Sequence, residues 1–325
     1  MVTWVGSSVG DYKIDKQLGE GNFSVVYHGN HEQTGSSCAF KVAKAQEDIG
    51  ADKARTTAMP TKATATITGG IMDVKPLTGK LLEHQYAALS QSQDAGLVRV
   101  EELKARPELT YYEMEFLHGP SLRELMNAGP VSIEKMMDVA RCLDKLSKNS
   151  DWKGHGDLKP ENVMFTPSGV VLIDPGYFGR LDLENGSTLP ECAVTTPAYY
   201  PTLELDDLFA FGLMLWEVVF GQQILNKRGY SEESDLSRTG PQLVELVKLQ
   251  EAVGKYLLSP ILDVQMPSTI HPGIDQNVER LLLKGLRIND SNGVLELDPG
   301  FRSFGAISGA FAAIRLKGKE HFLDA

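Results

Sequence analysis

The chain has 325 residues, 42% of them hydrophobic and 23% charged, and carries a formal net charge of −11. That composition is ordinary for a globular protein and leaves room for a substantial core. The acidic balance argues against nucleic acid as a main partner, because phosphate backbones attract basic stripes. Cys38, Cys142 and Cys192 are widely spaced and offer neither a CxxC zinc pair nor a disulfide framework, so a reducing, cytoplasmic setting is expected.

In chain order, the first residues lack the charged start and apolar run of a signal peptide. Residues 12–19, 24–30 and 37–44 alternate as three antiparallel strands, with a Gly-rich turn between the first two and Thr34-Gly35 at the second. Residues 44–79, Thr-rich in part, are long for a loop and show no clear period. Next, Leu81, Leu82, Gln85 and Leu89 fall at helical spacing, and strands at 97–103 and 109–116 follow. Beyond His118-Gly119-Pro120 helices dominate. Residues 132–148 carry an apolar face through Ile133, Met136, Met137, Ala140, Leu143 and Leu146, with Ser132 placed to cap it. Residues 163–174 read as a hairpin turning at Ser168-Gly169. The apolar run from Leu208 to Phe220 is shorter than the about 20 residues a bilayer span needs, so a buried helix and no membrane partner are expected. A β-rich part, 1–116, thus precedes a helical part, 117–325, with no internal repeat.

Three groups of residues carry chemistry. Gly19-Glu20-Gly21-Asn22-Phe23-Ser24-Val25-Val26 sits between two strands, where glycines let a turn lie close over phosphates and present backbone N–H donors. The strand-turn-strand setting is unlike a dinucleotide-binding turn, which leads from strand to helix. Lys41 follows in an apolar strand, where its charge is costly unless paired or set against phosphate. The third and strongest group is His155-Gly156-Asp157-Leu158-Lys159-Pro160-Glu161-Asn162-Val163, with Asp174 after the hairpin. Phosphoryl transfer needs these parts: a carboxylate for the hydroxyl proton, cations around the moving group, and oxygen ligands for magnesium.

With these residues in view, the sequence resembles the eukaryote-like Ser/Thr protein kinase superfamily from about Tyr12 to Leu316. The resemblance implies an α+β, bilobal protein-kinase-like fold, with a small antiparallel β-rich N-lobe (1–116) and a larger, mainly helical C-lobe (117–325). It implies ATP and Mg2+ as cofactors and a protein substrate with a Ser or Thr acceptor. Leu18, Gly19, Glu20, Gly21, Asn22, Phe23 and Ser24 would cover the phosphates, with Ser24 in place of a third glycine. Val26 and Ala39 would touch the adenine from above and Met164 from below. Lys41 would pair the α- and β-phosphates. Met114 resembles the gatekeeper, with Glu115 to Leu117 as the hinge. Asp157 would be the catalytic base, Lys159 would contact the γ-phosphate, and Asn162 and Asp174 would hold magnesium. His155 would pack structurally. Thr196-Pro197-Ala198-Tyr199-Tyr200-Pro201 resembles the end of an activation segment, where Thr196 would help position Asp157. Asp207 to Gly212 resembles the start of the long buried helix.

Some positions depart from the pattern. Counting back twelve residues from Leu97 gives Gln85 as the partner of Lys41. Glu83 is the nearest acid but lies about 200° around a helix, and spacing leaves the choice between them open. Pro175 follows Asp174 where a large residue is usual, which predicts a less mobile segment. Gly156 replaces the arginine that a phosphorylated loop pairs with, so activity is expected not to require loop phosphorylation. Thr202 stands where a glutamate would meet Arg302, leaving Glu204 as a candidate substitute. Two other readings stay open. One is a pseudokinase that binds nucleotide or acts as a scaffold, suggested by Gln85, Pro175 and the shortened docking segment. The other is a small-molecule kinase of the aminoglycoside phosphotransferase kind, which shares the His-Gly-Asp start but lacks the Lys-Pro-Glu-Asn continuation.

Overall fold

A computed structural model describes residues 4–21, 23–44, 59–60, 74–92, 96–106, 109–182, 188–194, 196, 198–200, 205–224, 265–291 and 294–323. The first half is built on a six-stranded antiparallel sheet. Its strands are β1 (Ser8–Val9), β2 (Tyr12–Glu20), β3 (Ser24–His31), β4 (Ser37–Ala43), β6 (Val100–Arg106) and β7 (Leu109–Glu115), in the order β1-β2-β3-β4-β7-β6. The short strand β5 (Met59–Pro60) lies outside this sheet.

Period-two alternation gives the sheet two different faces. Val25, Tyr27, Cys38, Phe40 and Val42 point one way and, with Ile14, form a separate outer cluster. Trp4 covers that cluster, stacking on Tyr27 at 5.9 Å and meeting Tyr111 edge-on. Ala39, Lys41 and Val26 therefore take the other face, with Val26 directly opposite Lys41. Helix α1 (Val74–Gln91) packs on β4, β6 and β7. It starts seven residues before Leu81, the first residue read at helical spacing, and so inside the 44–79 stretch that showed no clear period. Pro76 is tolerated there because first-turn N–H groups have no helical partner.

The second half begins with α2 (Leu122–Ala128), which opens on a capping box between Ser121 and Glu124, and α3 (Ile133–Ser147), capped by Ser132. The apolar face read for α3 is buried throughout. The hairpin β8 (Val163–Thr166) and β9 (Gly169–Leu172) follows, then the pair β10 (Tyr177–Asp182) and β11 (Thr188–Val194), with β5 joined to β11. Helix α4 (Asp207–Phe220) is buried along nearly its whole length. After it come α5 (Pro267–Ile270), α6 (Gln276–Gly285), β12 (Ile288–Ser291), β13 (Val294–Leu297) and α7 (Phe304–Arg315). One hydrophobic cluster runs from Ala39 and Met114 through Leu97, Val98 and Leu172 to α3, α4 and α7, so the sheet and the helical part share a core.

The β12–β13 hairpin was not expected, although Asn292-Gly293, a strong hairpin dipeptide, stands between its strands in the sequence. Most of 44–79, together with Asn22, Thr195, Pro197, Pro201, Thr202 and Glu204, lies outside the described residues. Among the described residues, no helix is long and apolar enough to cross a membrane.

Candidate active site

The site forms where the inner sheet face meets the loop before β8. Lys41 is only 3% exposed. Its Nζ donates to Gln85 Oε1 at 2.8 Å and to Asp174 Oδ1 at 2.7 Å. Gln85 is thus the residue on α1 that meets Lys41, while Glu83 pairs with Lys80 at 2.7 Å on a different part of the helix surface. Burial raises the Asp174 carboxyl, but the charges of Lys41 and Lys159 outweigh it and hold the group below its ordinary value. Asp174 adopts a φ of +55°, a left-handed conformation that is uncommon for a residue with a Cβ.

The Gly-rich turn joins β2 to β3 in the same sheet. The Gly21 N–H donates to Ser24 O at 2.8 Å, and Phe23 O accepts from the Lys44 N–H at 2.8 Å. Lys44 is buried and forms an ion pair with Glu20, which anchors the turn to the end of β4. A Cβ on Gly19 would meet nothing within 4 Å. Ser24 and Ala39 are buried, Val26 is half-buried and Leu18 is 40% exposed. Met114, opposite Ala39, is buried, and its carbonyl accepts from the Cys38 thiol. Glu115 accepts from the Arg99 N–H at 2.8 Å, and Leu117 packs at the edge of the shared core. Met164 bridges to Ser121 from β8.

The loop from His155 to Asn162 is held by buried polar contacts. Asp207, in the first turn of α4, accepts from the His155 N–H at 2.5 Å and the Gly156 N–H at 2.9 Å. The Tyr200 hydroxyl accepts from the Leu158 N–H at 2.9 Å and donates to Asp207 Oδ1 at 2.5 Å. His155 is fully buried; its Nε2 donates to Ile173 O at 2.9 Å, and its Nδ1 accepts from the Asp157 N–H at 3.3 Å. Burial keeps this imidazole below its ordinary pKa, although Asp207 and Asp157 pull it upward.

Within this frame Asp157 Oδ2 takes Lys159 Nζ at 2.8 Å and Asn162 Nδ2 at 3.1 Å. Asn162 Nδ2 also reaches Asp157 O and Asp174 O, tying the two acidic residues to one amide. Lys159 Nζ also donates to Thr196 Oγ1 at 2.8 Å. Asp157 Oδ1, in contrast, is buried and has no hydrogen-bond partner among the described residues. An unpaired buried carboxylate oxygen is costly and needs a reason.

Among the described residues, no group of three or more His, Cys, Asp or Glu side chains converges on a metal position. Magnesium in phosphoryl-transfer sites takes one or two carboxylates plus phosphate oxygens rather than an all-protein cage. Asp174 offers a carboxylate of that kind and Asn162, whose amide nitrogen reaches the Asp174 carbonyl at 3.3 Å, an amide oxygen.

Comparison with known proteins gives the chain relatives in sequence and in fold. No protein-family model matches the chain. Serine/threonine-protein kinase D3 of Mus musculus is 28% identical over 244 residues, 72% of this chain and 22% of that protein. CBL-interacting serine/threonine-protein kinase 15 of Arabidopsis thaliana is 24% identical over 285 residues, 83% of this chain and 56% of that protein. The probable serine/threonine-protein kinase pknA2 of Bifidobacterium longum is 26% identical over 226 residues, 66% of this chain and 27% of that protein. The chain is related to the Ser/Thr protein kinases.

Its fold is the bilobal protein kinase fold. The PknI kinase domain of Mycobacterium tuberculosis superposes with a TM-score of 0.52 at 13% identity, covering 96% of this chain and 99% of that one. PpkA-294 in its apo form gives 0.56 at 16% identity, covering 94% and 98%. This kinase-related chain spans about a fifth of the length of the kinase D3 relative. Several contacts of its site were not read from sequence: the Tyr200 hydroxyl, the Glu20–Lys44 pair and the Arg123 hub. Arg123 Nε reaches Glu161 at 2.7 Å, and its Nη1 reaches the buried Glu217 at 2.8 Å. All are contacts between distant segments and leave no local pattern. Arg302 is exposed on the turn before α7.

Proposed function

We propose that this chain is an ATP- and magnesium-dependent protein kinase acting on Ser or Thr hydroxyls, with Asp157 as the catalytic base. The observation that carries the reading is the orphaned Asp157 Oδ1. Its sister oxygen is occupied by Lys159 and Asn162, so Oδ1 alone is left to accept a substrate hydroxyl proton. As that proton moves to Oδ1, the hydroxyl oxygen bonds to the γ-phosphorus. The bond from γ-phosphorus to the bridging oxygen breaks, and ADP leaves with the electron pair. Lys159, between Asp157 and Thr196, supplies positive charge beside the moving group. Lys41, held by Gln85 and Asp174, would pair the α- and β-phosphates. Asn162 and Asp174 would hold magnesium, which neutralises charge on the β- and γ-phosphate oxygens.

The open space beside Gly19 supports nucleotide approach, since nothing in the protein requires a missing side chain there. A reducing, cytosolic setting belongs to the same proposal; Cys38 and Cys142 are not disulfide-bonded. The test is transfer of radiolabelled γ-phosphate from ATP with magnesium to generic protein substrates, comparing the natural protein with Asp157→Ala. Label on Ser or Thr that vanishes in the variant supports the reading. Magnesium-dependent nucleotide binding without any transfer would overturn it in favour of a binding or scaffolding module.

A further inference from the structure

Gln85 makes a second contact that its pairing with Lys41 does not account for. Its Nε2 donates to the Pro175 carbonyl at 2.9 Å, while its Oε1 accepts from Lys41 at 2.8 Å. The orientation of the amide follows from its partners: an ammonium only donates and a carbonyl only accepts, so oxygen faces Lys41 and nitrogen faces Pro175. A carboxylate in the same place would satisfy Lys41 but turn its other oxygen toward a carbonyl oxygen, with no proton between them.

Proline makes this arrangement specific. It has no N–H, so the carbonyl is the one backbone hydrogen-bonding group Pro175 can offer to α1. A residue on α1 that is to bind the backbone of Pro175 must therefore donate. The backbone just before the proline is also under strain. Asp174 holds φ at +55° immediately before a proline, where the preceding residue favours extended backbone. Three contacts hold it there: Lys41 on the Asp174 carboxylate, Gln85 on the Pro175 carbonyl, and the Gly176 N–H on His155 O at 2.8 Å.

We propose that Gln85 is a positioning residue matched to Pro175: its amide fastens α1 to the Pro175 carbonyl just after Asp174, a task that glutamate at the same position cannot perform. The glutamine is then part of a working device and not a weakened ion-pair partner. The activity consequence rests on the kinase reading above; the structural consequence does not.

The test compares Gln85→Glu and Gln85→Met with the natural protein. In the nucleotide-free protein, hydrogen exchange of the Gly176 amide should speed up about tenfold in both variants, the equivalent of one lost hydrogen bond, while amides of the β3–β4 pair stay unchanged. In phosphoryl transfer, Gln85→Glu should lower kcat/KM for ATP about tenfold, with KM for the protein substrate unaffected. Unchanged or slower Gly176 exchange in Gln85→Glu, or equal or higher activity, would overturn the proposal, because a residue serving only Lys41 would gain from the ion pair. If the natural protein transfers no phosphate, the kinase reading fails and the exchange measurement alone decides the role of Gln85.

Discussion

Replacing Tyr200 by phenylalanine isolates one hydroxyl at the centre of the His155–Asn162 loop. The ring is retained in a site that is 5% exposed, so no cavity forms. What goes is an acceptor for the Leu158 N–H at 2.9 Å and a donor to the Asp207 carboxylate at 2.5 Å. Leu158 is fully buried, so its N–H is left without water. Losing a hydrogen bond to a charged group costs about 1.5–3 kcal/mol, and orphaning a buried N–H about 1–3 kcal/mol. Because the two share one oxygen they do not simply add, and about 3 kcal/mol is expected. At a urea slope of about 2 kcal/mol/M, the unfolding midpoint should fall by about 1.5 M. At a temperature where the variant is folded, kcat should also drop about tenfold, since the Leu158 peptide directly carries Asp157. A midpoint shift below about 0.3 M would refute the reasoning, because it would mean the Leu158 N–H is satisfied without the phenol.

Further outcomes follow from packing and burial. A Cβ on Gly212 would sit 2.1 Å from the Gly285 carbonyl oxygen, so Gly212→Ala forces α4 and α6 apart. Urea unfolding should show a loss of at least about 3 kcal/mol. Gly309 in α7 meets nothing within 4 Å, and Gly309→Ala should gain about 0.5–1 kcal/mol in the same assay. Burial, with Glu113 nearby, pushes the Cys38 thiol up to about 12. Since the thiolate is the nucleophile, iodoacetamide at neutral to mildly basic pH should leave Cys38 unmodified until the protein is unfolded, as read by peptide mass spectrometry. Labelling at the rate of an exposed thiol would contradict this. His155 is held neutral by burial, whereas the unfolded chain takes up a proton near about 6.5. The unfolded state therefore binds more protons below that value, and stability falls as pH drops through it. Denaturation midpoints at about pH 7.5 and 5.5 should differ more for the natural protein than for His155→Gln.

Local chemistry made much of this protein legible in its sequence. Alternation placed Lys41 on the inner sheet face, since Cys38, Phe40 and Val42 had to share the other one. The Ser132 cap and the apolar stripe placed α3. The His155–Asn162 run put a carboxylate, a lysine and an amide within one loop, and Asp174 followed at the end of one hairpin. Such features are written over a few neighbouring residues, and periodicity and turn chemistry suffice to read them. The partner of Lys41 was different. Gln85 and Glu83 lie on one helix about 200° apart, and only the packing of α1 on the sheet selects the face that turns inward. The orphaned oxygen of Asp157, the hydroxyl of Tyr200 beneath Leu158 and the hold of Gln85 on Pro175 are likewise tertiary decisions. Each joins residues 42 or more positions apart, or depends on who else arrives, and no local propensity encodes a meeting of that kind.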